Sequence, residues 1–258
     1  MTKSLKIDLA VVIGIILLAI PLALIIQPRP FALMLLFFVL PSLYLLFRKP
    51  KPLKRILTAS ILFGTLFSFP FAFIASLNQT WAEPAGQLIL DYRILDVLPI
   101  EYIVWSFFWI LLIVVFYEHF IEQDISGEIS HNYKYGLIPA LFNIILTVIL
   151  FLFKPDVLRF SYAYLLLGLG TLLPVLYLIF KKPLLFLKFL KVSIFFFFLY
   201  TAFEYTVLKL GQRSFPGEYI GSIKFLGMEF PFEEFLFWIL LSSTVVLSYY
   251  ELYIDDQK

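Results

Sequence analysis

The chain has 258 residues, 62% of them hydrophobic and 15% charged, with a formal net charge of +2 and no cysteine. Soluble domains run at roughly 45–50% apolar and about 25% charged, so a soluble globular, a disordered and a disulfide-stapled secreted chain are all excluded. The absence of cysteine removes thiol nucleophiles, Cys-ligated zinc and iron–sulfur clusters, and so small a charge gives no footing for nucleic acid.

A membrane-crossing helix needs about 20 apolar residues, and eight segments qualify. Residues 9–26 follow a short basic start. They read as a retained helix, because Gln27-Pro28-Arg29-Pro30 is no small-residue cleavage site. Residues 31–47 and 56–77 are uncharged. A long polar connection, 78–97, precedes the segment 98–117, which holds only Glu101. A polar stretch with His119 and His131, read as solvated surface residues, leads to the uncharged segments 135–153 and 160–180. Residues 184–208 carry Lys188, Lys191 and Glu204. A second polar connection, 211–229, precedes 230–250 with Glu233 and Glu234. The expected fold is an all-α integral membrane protein of about eight transmembrane helices, mostly unbroken.

With the N-terminus inside, thirteen Lys and Arg collect on the cytoplasmic side: Lys3, Lys6, Arg48, Lys49, Lys51, Lys54, Arg55, Lys134, Lys181, Lys182, Lys188, Lys191 and Lys258. Seven fall outside: Arg29, Arg93, Lys154, Arg159, Lys209, Arg213 and Lys224. The bias predicts a multi-pass protein of the cell membrane with both termini cytoplasmic.

The sequence also repeats itself. Leu43-Tyr44-Leu45-Leu46-Phe47-Arg48-Lys49-Pro50 returns as Leu176-Tyr177-Leu178-Ile179-Phe180-Lys181-Lys182-Pro183, offset by 133, and Pro41 returns as Pro174. Pro99-Ile100-Glu101-Tyr102 returns as Pro231-Phe232-Glu233-Glu234, and Tyr117-Glu118 as Tyr250-Glu251. This pattern predicts two four-helix repeats, residues 1–130 and 131–258. Four crossings return each half to the same side, so the repeats run parallel. Each polar connection mixes charge with aromatics, which predicts interfacial or re-entrant structure.

Ionisable groups inside a span are costly, so each is a functional candidate. Glu101, Glu233 and Glu234 follow a proline closely and also suit a helix start, where the dipole favours an acid. Glu204 lies among Phe195, Phe196, Phe197, Phe198, Phe203 and Tyr205. Most aromatics belong to core or lipid-facing surface, but Tyr102, Trp105, Phe235, Phe237 and Trp238 fall near the acids. Buried acids beside aromatic faces suit protonation of an alkene, with the cation resting on π faces and a carboxylate removing a proton. A Gly-rich phosphate loop, an Asp pair for magnesium diphosphate and a dinucleotide fingerprint are all missing. No metal and no cofactor is expected.

At Pro231-Phe232-Glu233-Glu234-Phe235-Leu236-Phe237 the chain resembles the membrane-embedded lycopene cyclase domain family of bacteria, archaea and fungi. The family order, a basic segment, an acid, a Gly-x-Trp-x-Phe, a Tyr and then Pro-Leu-Glu-Glu, reads here as Phe180-Lys181-Lys182-Pro183, Glu204, Gly211-Gln212-Arg213-Ser214-Phe215, Tyr219 and the motif. Tyr250-Glu251 ends the last helix as the family's Tyr-Glu does. Arg213 stands where the family has Trp, Glu204 where it has Asp, and Pro216-Gly217 where it has Asn-Pro. In the first half Trp81 is kept, while Ala72 and Tyr102 replace acids.

The resemblance implies a non-redox carotenoid cyclase that folds an acyclic end group into a six-membered ring. Glu233 and Glu234 would be its acid/base pair, with Glu101 completing the pocket and Glu204 tuning the proton. Tyr102, Trp105, Phe235, Trp238, Trp81, Arg213 and Tyr219 would bind substrate. Expected partners are lycopene or a related polyene, membrane lipid, and a second copy of the chain or other carotenoid-pathway enzymes. A polyene or lipid carrier, a proton-coupled transporter and a non-catalytic partner subunit stand as alternatives.

Overall fold

The computed structural model describes residues 2–48, 52–84, 86–90, 92–122 and 127–255. Lys49, Pro50, Lys51 and Lys258, which enter the Lys and Arg count or the repeat, lie outside the described residues. Among those described, eight helices are long and apolar enough to cross a bilayer: Lys3–Ile26, Pro30–Arg48, Leu53–Leu77, Ile100–Glu122, Tyr133–Phe153, Ala163–Lys181, Leu185–Lys209 and Glu234–Tyr253. The protein is an all-α, multi-pass membrane protein.

The fourth and eighth spans occupy the centre, 56% and 61% buried, whereas the first and fifth are 22% and 17% buried. The outer faces expose Leu18, Ile25, Phe47, Phe153, Phe180 and Phe198. Such faces are stable against acyl chains, where every backbone group is satisfied within its own helix. Helices in lipid gain no hydrophobic drive toward one another, so close packing and polar contacts hold them together. Gly64 supplies the first: a Cβ there would lie 2.8 Å from Phe107 Cα and 2.9 Å from the Ser106 carbonyl oxygen, so the third and fourth spans approach backbone to backbone. Ser193 supplies the second, bonding Ser243 and Thr244 between the seventh and eighth spans at 3.0 and 2.8 Å.

The spans are less regular than their apolar runs suggest. Residues Leu35–Val39, Leu62–Phe67, Glu118–Glu122 and Glu234–Leu241 wind as π-helix, and a turn separates Thr171 from Leu173. Each π stretch adds a residue to the turn and rotates the side chains that follow. Hydropathy carries no trace of this. The last span also begins later than its apolar run, because Met228–Pro231 is a strand paired with Ser222–Phe225. That hairpin turns on Leu226 and Gly227, both at positive φ. The first polar connection holds a smaller hairpin, Arg93–Ile94 against Leu98–Pro99. Each connection therefore carries a short antiparallel hairpin.

Reciprocal bonds join positions that the sequence offset equates. At one end Ala82 and Ser214 exchange two backbone hydrogen bonds, of 2.9 and 2.8 Å. At the other the Tyr117 hydroxyl donates to Glu251 and the Tyr250 hydroxyl to Glu118. Contacts in which i meets j′ and j meets i′ are those of a twofold.

His119 corrects its reading as a solvated surface residue: it is 1% exposed. Its Nε2 lies 2.9 Å from Asp8, which also accepts from Arg48 at 2.6 Å and Tyr44 at 3.0 Å. The first helix begins at Lys3 and the fourth continues to Glu122, so both acquire an extra turn beyond the apolar run. His131 is exposed.

Candidate active site

A cavity of about 240 Å³ lies inside the bundle, with walls drawn from both halves. Its walls are mostly apolar, and all four tryptophans of the chain, Trp81, Trp105, Trp109 and Trp238, reach it. Trp105, Trp109 and Trp238 form one cluster, with ring centroids 4.9 to 5.6 Å apart. Trp81 packs instead against Tyr102 at 6.4 Å and Tyr164 at 5.6 Å.

Among the described residues three carboxyls line this chamber: Glu83, Glu101 and Glu234. Glu234 begins the π-helical stretch of the eighth span and is 2% exposed. Its Oε1 accepts from Arg213 Nη1 at 3.2 Å and its Oε2 from the Tyr164 hydroxyl at 2.7 Å. The same guanidinium nitrogen reaches Oε2 of Glu204 at 3.0 Å. Glu204 is fully buried behind Arg213, and its Oε1 has no hydrogen-bond partner among the described residues. Burial works against the charge of Arg213, but Glu204, Glu234 and Glu83 more than offset it and hold the guanidinium protonated. Its plane also sits 5.8 Å from the Phe203 ring.

Glu101 and Glu233, equated by the repeat, share another task. Glu101 Oε1 accepts the Ile89 and Leu90 backbone N–H groups, both at 2.6 Å, and Glu233 Oε1 accepts that of Ile220 at 2.8 Å. Each acid pins the polar connection that precedes its own helix.

The structure thus brings Glu234, Glu204, Arg213, Glu101, Tyr102, Trp81, Trp105 and Trp238 to the cavity or directly behind its wall. It places Glu233, Phe235 and Tyr219 elsewhere. Glu233 faces the second connection, and Phe235 packs on Phe225 and Phe230. The Tyr219 hydroxyl donates to the Thr80 carbonyl and lines a separate polar crevice. Glu233 and Glu234 are adjacent on a helix, so their side chains diverge by roughly 100°.

Sequence reasoning missed Trp109, Glu83 and Tyr164. Glu83 sits in a polar connection and Tyr164 in an uncharged span, and neither has a local signal. The offset of 132 holds a usable hint, since it sets Ala72, Trp81 and Tyr102 against Glu204, Arg213 and Glu234. At these three pairs the first half carries uncharged side chains where the second carries charge. No protein-family profile, curated protein or solved structure matches the chain.

Proposed function

We propose that the protein is a carotenoid cyclase, a non-redox isomerase that closes the open end group of lycopene or a related polyene. The observation that carries this reading is the chamber itself, in which buried carboxyls and four indoles surround an apolar space. Ligand pockets usually span about 300–1,000 Å³, so this one suits a single branched end group with the remaining chain leaving between helices.

One guanidinium cannot neutralise the carboxyls of Glu204, Glu234 and Glu83 in an apolar site, so the set retains a proton. Glu234 delivers it. The terminal alkene takes that proton and becomes a tertiary cation, the next double bond attacks to close a six-membered ring, and loss of a proton sets the ring double bond. Formula is conserved. The Tyr164 hydroxyl can donate to the Glu234 carboxylate or accept from its acid form, so the bond survives both states. Arg213 holds the charge of the spent carboxylate, while Trp105, Trp109 and Trp238 offer π faces to the cation. Glu101 and Glu233 act as positioning residues through the connections they pin.

We place the termini in the cytoplasm on the Lys and Arg bias, and the chamber then opens nearer the outer face. Expression in a lycopene-accumulating bacterium tests the function. A monocyclic or bicyclic carotene is expected from the native chain, and none from Glu234→Gln at equal membrane level. Unchanged lycopene with the native protein in the membrane would overturn the reading. One observation favours a proton-coupled carrier instead: a buried ionic cluster at the other end, where Arg55 bonds Glu118 at 3.3 Å and Asp255 at 2.7 Å. Unaltered polyene that co-purifies with the protein would support that alternative.

A further inference from the structure

Among the described residues Glu83 is the one cavity carboxyl that neither the Pro-x-Glu motifs nor the ion pair on Arg213 explains. It belongs to the connection between the third and fourth spans, yet it reaches the chamber and accepts a hydrogen bond from Tyr102, the first-half counterpart of Glu234. Its backbone is fixed from outside its own half. Ala82, the residue before it, exchanges two hydrogen bonds with Ser214, the residue after Arg213. One small bridge therefore sets Glu83 and Arg213 side by side above the cavity. Trp81 packs against both Tyr102 and Tyr164, so one indole joins the Tyr102–Glu83 pair to the Tyr164–Glu234 pair.

Resting on the cyclase reading, we infer that Glu83 is a catalytic residue, the base that removes the proton from the ring cation and so chooses where the ring double bond forms. A ring cation has three neighbouring carbons that can lose a proton, and each gives a different isomer. The choice falls to whichever C–H lies within reach of the base, so the isomer made reports where the base stands. A carboxyl beside Arg213, held by a tyrosine hydroxyl and next to a two-bond bridge, is placed to select one C–H. Desolvation raises the proton affinity of the Glu83 carboxyl, with Tyr102 and Arg213 opposing, which suits a group that must take a proton from carbon. The balance closes: Glu234 gives one proton, Glu83 receives one, and the two exchange through solvent at the outer cap between turnovers.

The test is pigment analysis by chromatography in the lycopene-accumulating host, with membrane level measured alongside. The native chain, Glu83→Gln, Glu83→Asp and Tyr102→Phe are compared. Glu83→Gln is expected to lower ring formation by roughly 10²-fold and scatter the residual product over several double-bond positions. Glu83→Asp is expected to restore the native isomer in part. Tyr102→Phe keeps the ring and frees the carboxyl, so it should shift the isomer ratio even where Glu83→Gln fails to accumulate. A native isomer ratio and turnover in Glu83→Gln, or in Tyr102→Phe where the first variant is absent from the membrane, would overturn the role of Glu83 while leaving the cyclase reading intact. A native chain that forms no ring would overturn both.

Discussion

Arg213 shows how a single residue type changes what a site can do. Its guanidinium bridges two carboxyls that are almost wholly removed from solvent. Removing one partner of such a set leaves buried charge without compensation, at a cost of about 3–5 kcal/mol. Arg213→Ala should therefore lower the unfolding temperature of the detergent-solubilised protein sharply, and Glu204→Gln placed on top should recover part of the loss. Glu83 predicts a pH effect of definite sign. Burial raises its carboxyl above the ordinary value, so the folded chain keeps a proton that the unfolded chain gives up first. Stability is full below the ordinary carboxylate range and declines as pH climbs from there to the raised folded value. Unfolding curves across the acid-to-neutral range should be flatter in that window for Glu83→Gln than for the native chain. Glu101, Glu204 and Glu234 were legible as candidates because an acid inside an apolar run is conspicuous. Glu83 was not, since an acid in a polar connection looks solvated until the fold brings the connection over the cavity.

At the scale of elements, what could be read from the sequence divides by locality. Span number and length depend on apolar runs within one segment, and all eight emerged near their expected places. The π-helical stretches, the late start of the last span and the Glu118–Glu122 extension depend on contacts between segments, and no run of hydropathy encodes them. His119 was misread for that reason: its polar neighbours look solvated, yet the extra helical turn packs it against Asp8. Gly64 is the element-level counterpart. Its neighbour is backbone, which cannot swing aside as a side chain can, so Gly64→Val should force the third and fourth spans apart. Overpacking of this kind costs about 1–3 kcal/mol, and a lower unfolding temperature with the proposed cyclisation reduced in proportion is the expected outcome. Gly64→Val with native stability would show that the close approach is unnecessary.

For the whole molecule, the relation between the halves decides how the chamber is built. The second half supplies Arg213 and Glu234, with Glu204 behind them, and the first supplies Glu83 and Glu101 together with much of the aromatic wall, through Trp81, Tyr102, Trp105 and Trp109. Neither half alone encloses the cavity. The bonds between equated positions tie the two together at both ends: the Ala82–Ser214 bridge beside the chamber and the crossed tyrosine–glutamate pairs opposite it. Tyr117→Phe and Tyr250→Phe each strip a donor from a buried glutamate, worth about 1–3 kcal/mol apiece. The two rings touch at 6.1 Å, so the double variant should depart from the sum of the singles. If these contacts rather than chain continuity hold the bundle, the covalent link near residue 130 is dispensable. Residues 1–130 and 131–258 expressed as separate chains should then co-purify from membranes and regain the proposed ring formation only together. Tyr117→Phe with Tyr250→Phe should weaken that recovery more in the split protein than in the intact one, because the split protein has lost the effective concentration that the link supplies. Halves that co-purify and recover equally well without the tyrosine hydroxyls would mean that the crossed pairs are incidental and that packing between the helices alone brings the repeats together.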